Sequence, residues 1–207
     1  MHVRIIEYIQ RTLSIIYSFD LDYHVKDFIL SEAPHDTARA CTLFKFNDGC
    51  IDIGIYIPKE IILSAAELKF QSLPTKCELQ SLSILIEEVS HFYMIINSIK
   101  ENRRFRLIEL EWQAEIDKII ILGSWLRKLT GCDYWNSLEK FLFTSYEISS
   151  PEPMRYKSAT EEAEKFWKDL RTHTKGNLEA WTLFREYMTT TYRLPWEAKK
   201  TRRLLAA

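Results

Sequence analysis

One histidine and several carboxylates occur at helical spacing near the middle of this chain. Glu87, Glu88 and His91 lie in one apolar run, and a second acidic run follows in which Glu111 stands 20 residues after His91. Ionisable groups on the buried side of a helix cost free energy unless they are paired or bind a metal ion. The pattern therefore predicts either a metal site or a polar network in the core.

Helical periodicity places these groups on facing sides of two consecutive helices. Residues three, four and seven positions apart share a face of a helix, which puts Glu88 beside His91 on the first helix. The same spacing puts Lys118 on one line with Glu111, and Glu115 lies one turn beyond Glu111. If the two helices pack antiparallel, we expect the imidazole and the carboxylates to converge in the interior.

The spacing resembles that of the gluzincin class of metallopeptidases. In that class a helix carries His-Glu-x-x-His, and a glutamate on the next helix completes the metal site. Glu88 aligns with the general base, and His91 aligns with the second histidine ligand. Glu111 aligns with the glutamate ligand, and Glu115 aligns with the acidic residue that orients a ligand. The chain departs from the pattern at Glu87, which stands where the first histidine ligand would be.

This resemblance implies a zincin-like metal-binding protein, either a metal-dependent hydrolase or peptidase or an inactive relative of one. The implied ligands of a single divalent ion are Glu87, His91 and Glu111, with Glu88 as the base that takes a proton from water. One imidazole with two carboxylates binds zinc less selectively than a histidine-rich set. Iron or manganese suits it better.

Two other interpretations use the same residues. Glu88-x-x-His91 is half of the Glu-x-x-His signature of carboxylate-bridged di-iron bundles, although the second helix offers only Glu111 and Glu115. The other interpretation is a structural network in which Lys118 neutralises Glu111 and Glu115 and fixes the register of two central helices. The members of that network would be Glu87, Glu88, His91, Glu111, Glu115 and Lys118.

The end of the chain predicts a different function, that of an interaction, adaptor or regulatory protein without catalysis. If exposed, Trp196 would contact a protein partner together with the terminal leucines. Arg202 and Arg203 would then contact acidic groups of that partner. No nucleic-acid motif accompanies these basic residues.

Composition is typical of a globular protein of 207 residues with a sizeable core. Hydrophobic residues make up 46% and charged residues 28%. The length predicts a single domain, and the linker Ser-Ser-Pro-Glu-Pro at 149–153 offers a sub-division into 1–150 and 151–207. The net charge of −1 gives no general attraction to nucleic acid or to an anionic membrane. No apolar run is expected to reach membrane length. Because the four cysteines form no Cys-x-x-Cys pair and follow no secretory signal, we expect free thiols and a cytoplasmic location.

The elements that would position the site predict an α+β fold. An amphipathic N-terminal helix over 3–17 precedes a small antiparallel sheet, and a predominantly α-helical body follows. Asn47-Asp48-Gly49 is typical of a hairpin turn between strands over 40–46 and 50–57, and the alternation over 23–30 predicts another strand. Helices are predicted over 59–70, 78–99, 105–129, 134–146, 158–171, 177–192 and 195–205.

Overall fold

The computed structural model of the chain describes residues 3–34, 39–48, 50–66, 72–144, 153–173 and 181–201. This part of the chain forms eight α-helices and one two-stranded antiparallel sheet, which confirms the predicted α+β fold. In chain order the elements are α1 (Val3–Tyr17), a 3₁₀ helix (Val25–Phe28), β1 (Cys41–Asn47), β2 (Cys50–Tyr56), α2 (Lys59–Ala66), α3 (Lys76–Lys100), α4 (Leu107–Thr130), α5 (Trp135–Phe143), α6 (Pro153–His173), α7 (Trp181–Arg193) and α8 (Trp196–Thr201).

Helices α3 and α4 form the centre of the molecule. A capping box begins α3, in which Thr75 and Glu78 each accept the other's backbone N–H. Gly131, in the left-handed conformation at φ 72°, ends α4. Residues late in α3 contact residues early in α4, so the two helices are antiparallel as predicted. The buried surface of both helices extends around most of their circumference, which is typical of a core position.

The hairpin confirms one predicted turn and corrects one predicted strand. Register pairs Asn47 with Cys50, which leaves the two predicted turn residues between the strands. Within 23–30 the structure has a 3₁₀ helix at Val25–Phe28 and a single bridge from Ile29 to β2, and not a strand. The reason is that the side-chain amide of Gln10 in α1 donates to the Tyr23 carbonyl and accepts from the Val25 N–H. These backbone groups are therefore not available for pairing with a neighbouring strand.

The other helices enclose the central pair. The apolar stripe of α1 is buried against α3 and α7, and α6 packs along α4. Gly123 of α4 provides the close approach to α5, because a Cβ there would lie 1.6 Å from the Trp135 ring. No apolar run was expected to reach membrane length, but by length and composition α3 could cross a membrane. Within the protein, 83% of its most apolar 18-residue stretch is buried.

The short helix α8 inserts two side chains into the interior. Trp196 is 6% exposed and packs edge-on against Trp112, so the exposure that would make it a partner contact is absent. The side chain of Lys199 is completely buried, and its Nζ lies over the rings of Trp112 and Tyr192 at 5.2 and 5.7 Å from their centroids. Arg202 and Arg203, like the domain boundary predicted near residue 150, lie outside the described residues.

The Gly123–Trp135 contact yields a test of the packing between α4 and α5. Gly123→Ala should lower the free energy of unfolding by about 1–3 kcal/mol, because the added methyl group overlaps a buried ring. In a Trp135→Leu background the same change should be neutral or stabilising by up to about 1 kcal/mol, since alanine favours the helix. Urea unfolding of the parent, the two single variants and the double variant measures this coupling. Stabilisation by Gly123→Ala alone would contradict the packing described here.

Lys199 yields a prediction about pH. Burial lowers the pKa of Lys199 to about 7, with Arg103 acting in the same direction and Glu109 and Asp117 opposing it. The unfolded chain therefore binds this proton up to about pH 10.5 while the folded chain has released it, so stability should rise as pH increases above 7.

Lys199→Met removes this penalty and leaves Glu109 paired with Arg103 at 2.9 Å. We expect the variant to be more stable than the parent by about 1–4 kcal/mol near pH 6, with the difference shrinking toward about pH 9. Thermal unfolding of both proteins across that range isolates Lys199 from other titrating groups. A difference that stayed constant with pH would exclude the buried lysine as its cause.

Candidate metal centre

His91 lies at the centre of the candidate site, between two carboxylates. It is 7% exposed, its Nε2 is 3.4 Å from Glu111 Oε2 of α4, and its Nδ1 is 3.8 Å from Glu88 Oε2 one turn earlier in α3. Nε2 has no hydrogen-bond partner within the described residues. The predicted convergence of the imidazole and the carboxylates is therefore confirmed.

Glu87 and Glu115 share one buried cation. Lys118 Nζ is 2.9 Å from Glu87 Oε2 and 2.7 Å from Glu115 Oε1, so it connects α3 to α4. We expected Lys118 to neutralise Glu111 as well, but the geometry gives it Glu87 instead. The reason is that the antiparallel packing brings α3 closer to the Lys118 side chain than Glu111, which lies two turns away on the same helix.

Glu111 takes its own cation from α6. Arg155 Nη2 is 3.3 Å from Glu111 Oε1, which leaves Oε2 directed at His91. Arg155 was not predicted from the sequence, because no local pattern links the first turn of α6 to α4 across more than 40 residues. Tyr156 follows it, and burial together with Glu111 and Glu87 raises the pKa of its hydroxyl.

Glu88 is held from the sheet. Thr42 of β1 donates a 2.7 Å hydrogen bond to Glu88 Oε2, the same oxygen that faces His91 Nδ1. This contact orients the carboxylate toward Nδ1, and the opposite ring nitrogen faces Glu111. Thr42 was also missed in the sequence. Its position two residues before Phe44, on the same face of β1, was the only available signal.

The electrostatics follow from burial and pairing. Burial opposes a charge on His91, but Glu111 and Glu88 outweigh it and raise the pKa of the imidazole well above its usual value. Burial likewise opposes the Lys118 ammonium, and Glu115 and Glu87 reverse that effect and raise its pKa. Burial raises the pKa of Glu88 despite its contacts with His91 and Thr42.

Three of these side chains could hold a metal ion. One ligand atom from each of Glu87, His91 and Glu111 lies within 4.8 Å of the other two. No second group of this kind is found in the described part of the chain, so a two-metal bundle has no support there. Each carboxylate of the trio uses one oxygen on a cation, Lys118 or Arg155, and has a second oxygen for another partner.

Comparison of the chain with protein-family models, with curated proteins and with solved structures found no match. The chemistry of the side chains is therefore the basis for any functional conclusion.

The shared cation yields a test of the site's electrostatics. Lys118→Met should lower the free energy of unfolding by about 3–5 kcal/mol, because it leaves the carboxylates of Glu87 and Glu115 facing each other without compensation. Replacing both carboxylates by glutamine in the same protein should restore a large part of the loss. Denaturant unfolding is the measurement. A loss below about 1 kcal/mol would mean that the pairs behave as solvated surface ions.

Proposed function

We propose that this chain is a zincin-like metal-binding protein whose single divalent ion is held by Glu87, His91 and Glu111. The observation that carries the proposal is the buried imidazole nitrogen of His91, which makes no hydrogen bond and lies 3.4 Å from a carboxylate oxygen. Ligands about 2.0–2.2 Å from one tetrahedral ion lie about 3.3–3.6 Å apart. The observed separation is therefore suited to two ligands of one metal ion.

The surroundings of the trio support the same proposal. A histidine that binds metal through one nitrogen commonly has a carboxylate near the other, and Glu88 takes that position at Nδ1. Ligating carboxylates are in turn hydrogen-bonded, as Glu87 is by Lys118 and Glu111 by Arg155. These contacts would hold all three side chains in place while leaving each one an atom for the ion.

The charge balance also favours a divalent cation. The cluster contains four carboxylates, those of Glu87, Glu88, Glu111 and Glu115. If all four are ionised, Lys118 and Arg155 neutralise two of them and leave an excess of two negative charges. A divalent ion beside a neutral imidazole would balance that excess. With one nitrogen and two oxygen ligands, the set suits iron or manganese better than zinc.

A hydrolase is the more specific form of this proposal. The alignment with gluzincins makes Glu88 the general base. Its Oε2 is held at His91 Nδ1, the ring nitrogen away from Glu111, so the other carboxylate oxygen would have to take the proton from water. Glu87 is the ligand with most access to solvent, at 24% of its side chain, so it marks the side from which a small substrate would approach. When bound, the metal would act as a Lewis acid toward that substrate.

A non-catalytic role is the second candidate, and one contact favours it. Lys118 already bridges Glu87 and Glu115 at hydrogen-bonding distances, so the cluster is largely compensated without any ion. Protonation of His91 and of one carboxyl group would complete the compensation. In that case the cluster would only fix the register of α3 against α4.

Elemental analysis of protein purified without a metal-binding tag separates the two candidates. We expect about one equivalent of a divalent metal per chain, and its loss in His91→Ala and in Glu111→Ala, because each change removes a ligand. Asp117→Asn is the matched control, since Asp117 is a buried carboxylate of α4 outside the trio. It should retain the metal.

Glu88→Gln tests the base separately. It should keep the metal with an affinity weakened by about 10–100-fold, because it changes the partner of His91 Nδ1 and not a ligand. Loss of hydrolytic activity in this variant, with metal retained, would support the hydrolase. If the parent protein contains no metal and takes up neither manganese nor zinc, and His91→Ala only lowers the melting temperature, the structural network is the correct interpretation.

A further inference from the structure

We infer that a groove between the β-hairpin and the α3–α4 connection binds an extended, acidic and apolar segment of a partner protein. The groove lies beside the last turn of α3, about two helical turns beyond His91, and the inference does not depend on the metal.

The groove is apolar and open. Its volume is about 430 Å³, and its wall includes Phe44 and Phe46 of β1 together with Phe105. Ile99 and Leu107, at the end of α3 and the start of α4, complete the apolar surface. The most exposed of these large side chains is Phe46 at 61%. Contiguous exposed apolar surface of this kind marks a site of interaction.

The strand beside the groove offers backbone groups as well. The sheet has two strands, so β1 is paired along one edge by β2, and no described strand pairs with its other edge. An extended segment could add to that edge through main-chain hydrogen bonds. Alternate side chains of the segment would then fall on the face that carries Phe44 and Phe46, because side chains of adjacent strands share faces.

The charge of the groove selects the chemistry of the segment. Among the residues that the structure describes, its lining contains Arg103 and Arg104 but no carboxylate. Arg103 forms an ion pair with the buried Glu109, whereas the exposed Arg104 makes no ion pair within the described residues. An acidic residue of the partner would complement Arg104.

The same charge disfavours a second copy of this chain. Two copies paired through β1 would place a second cationic groove beside the first. Among the described lining residues, neither groove has a carboxylate that could pair with Arg104 of the other copy. The neighbouring basic residues Lys100 and Arg106 already have partners, Asp22 and Glu197, within one chain. We therefore expect a different protein as the occupant.

The experiment uses a phage-displayed library of random peptides, selected on the purified full chain. We expect enrichment of peptides that combine alternating apolar residues with Asp or Glu. Phe46→Ser should weaken binding of an enriched peptide by at least about tenfold, which is about 1.4 kcal/mol, because Phe46 is the most exposed apolar side chain of the groove. Arg104→Glu should weaken it similarly, and high salt should weaken it in the parent protein.

Leu43→Ser is the matched control. Leu43 lies on the same strand and is 42% exposed, but its side chain is on the opposite face from Phe44 and Phe46. It should bind the peptide as the parent does. Hydrogen exchange should show that the peptide protects amides within 41–47, which a contact through side chains alone would not produce.

Three outcomes would overturn the inference. One is the absence of any enriched peptide, and another is enrichment of peptides whose binding is unchanged by Phe46→Ser or Arg104→Glu. The third is a dimer of the parent chain, measured by light scattering, that becomes a monomer in Phe46→Ser, because the groove would then belong to a second copy. Melting temperatures of the variants confirm that each is folded.

Discussion

The structure depends on compensation of the charged groups buried between α3 and α4. Glu88, His91, Glu111 and Lys118 are each less than 10% exposed, and an isolated charge in such a place would cost several kcal/mol. Each therefore has a partner on another element. This requirement fixes the distance and the register of the two helices more strictly than apolar packing alone, because an apolar surface tolerates small displacements that a pair of charges does not.

The same requirement recurs elsewhere along the interface between the helices. Beside the cluster of Glu87, His91 and Glu111, Asp117 accepts hydrogen bonds from Ser90 of α3 and Tyr17 of α1, and burial raises its pKa to about 6 despite them. Further along, Arg103 is bound to Glu109 at the connection between the helices. Buried polar groups thus extend from the middle of the pair to the connection between the two helices. A shift of one helical turn would break all three sets together.

Burial also limits what the candidate centre can do. His91 and Glu111 are buried, whereas 24% of the Glu87 side chain is exposed to solvent. An ion held there would be shielded from most of the solvent, which strengthens its interactions with charged groups. A substrate would have to approach from the side of Glu87. A closed structural centre and a catalytic centre would therefore differ mainly in whether the Glu87 side chain can move aside.

The sequence by itself determined the local features of this protein. Periodicity predicted the central helices and the apolar stripe of α1. The turn at Asp48 predicted the hairpin, and the spacing of His91 and Glu111 predicted that they would meet. These features depend on residues close together in the chain or on one packing assumption. The sequence could not assign partners from distant elements. Only the tertiary structure decided that Lys118 pairs with Glu87, that Arg155 and Thr42 complete the site, and that Trp196 is buried, because such contacts depend on how whole helices and strands are placed and leave no periodic signal in the chain.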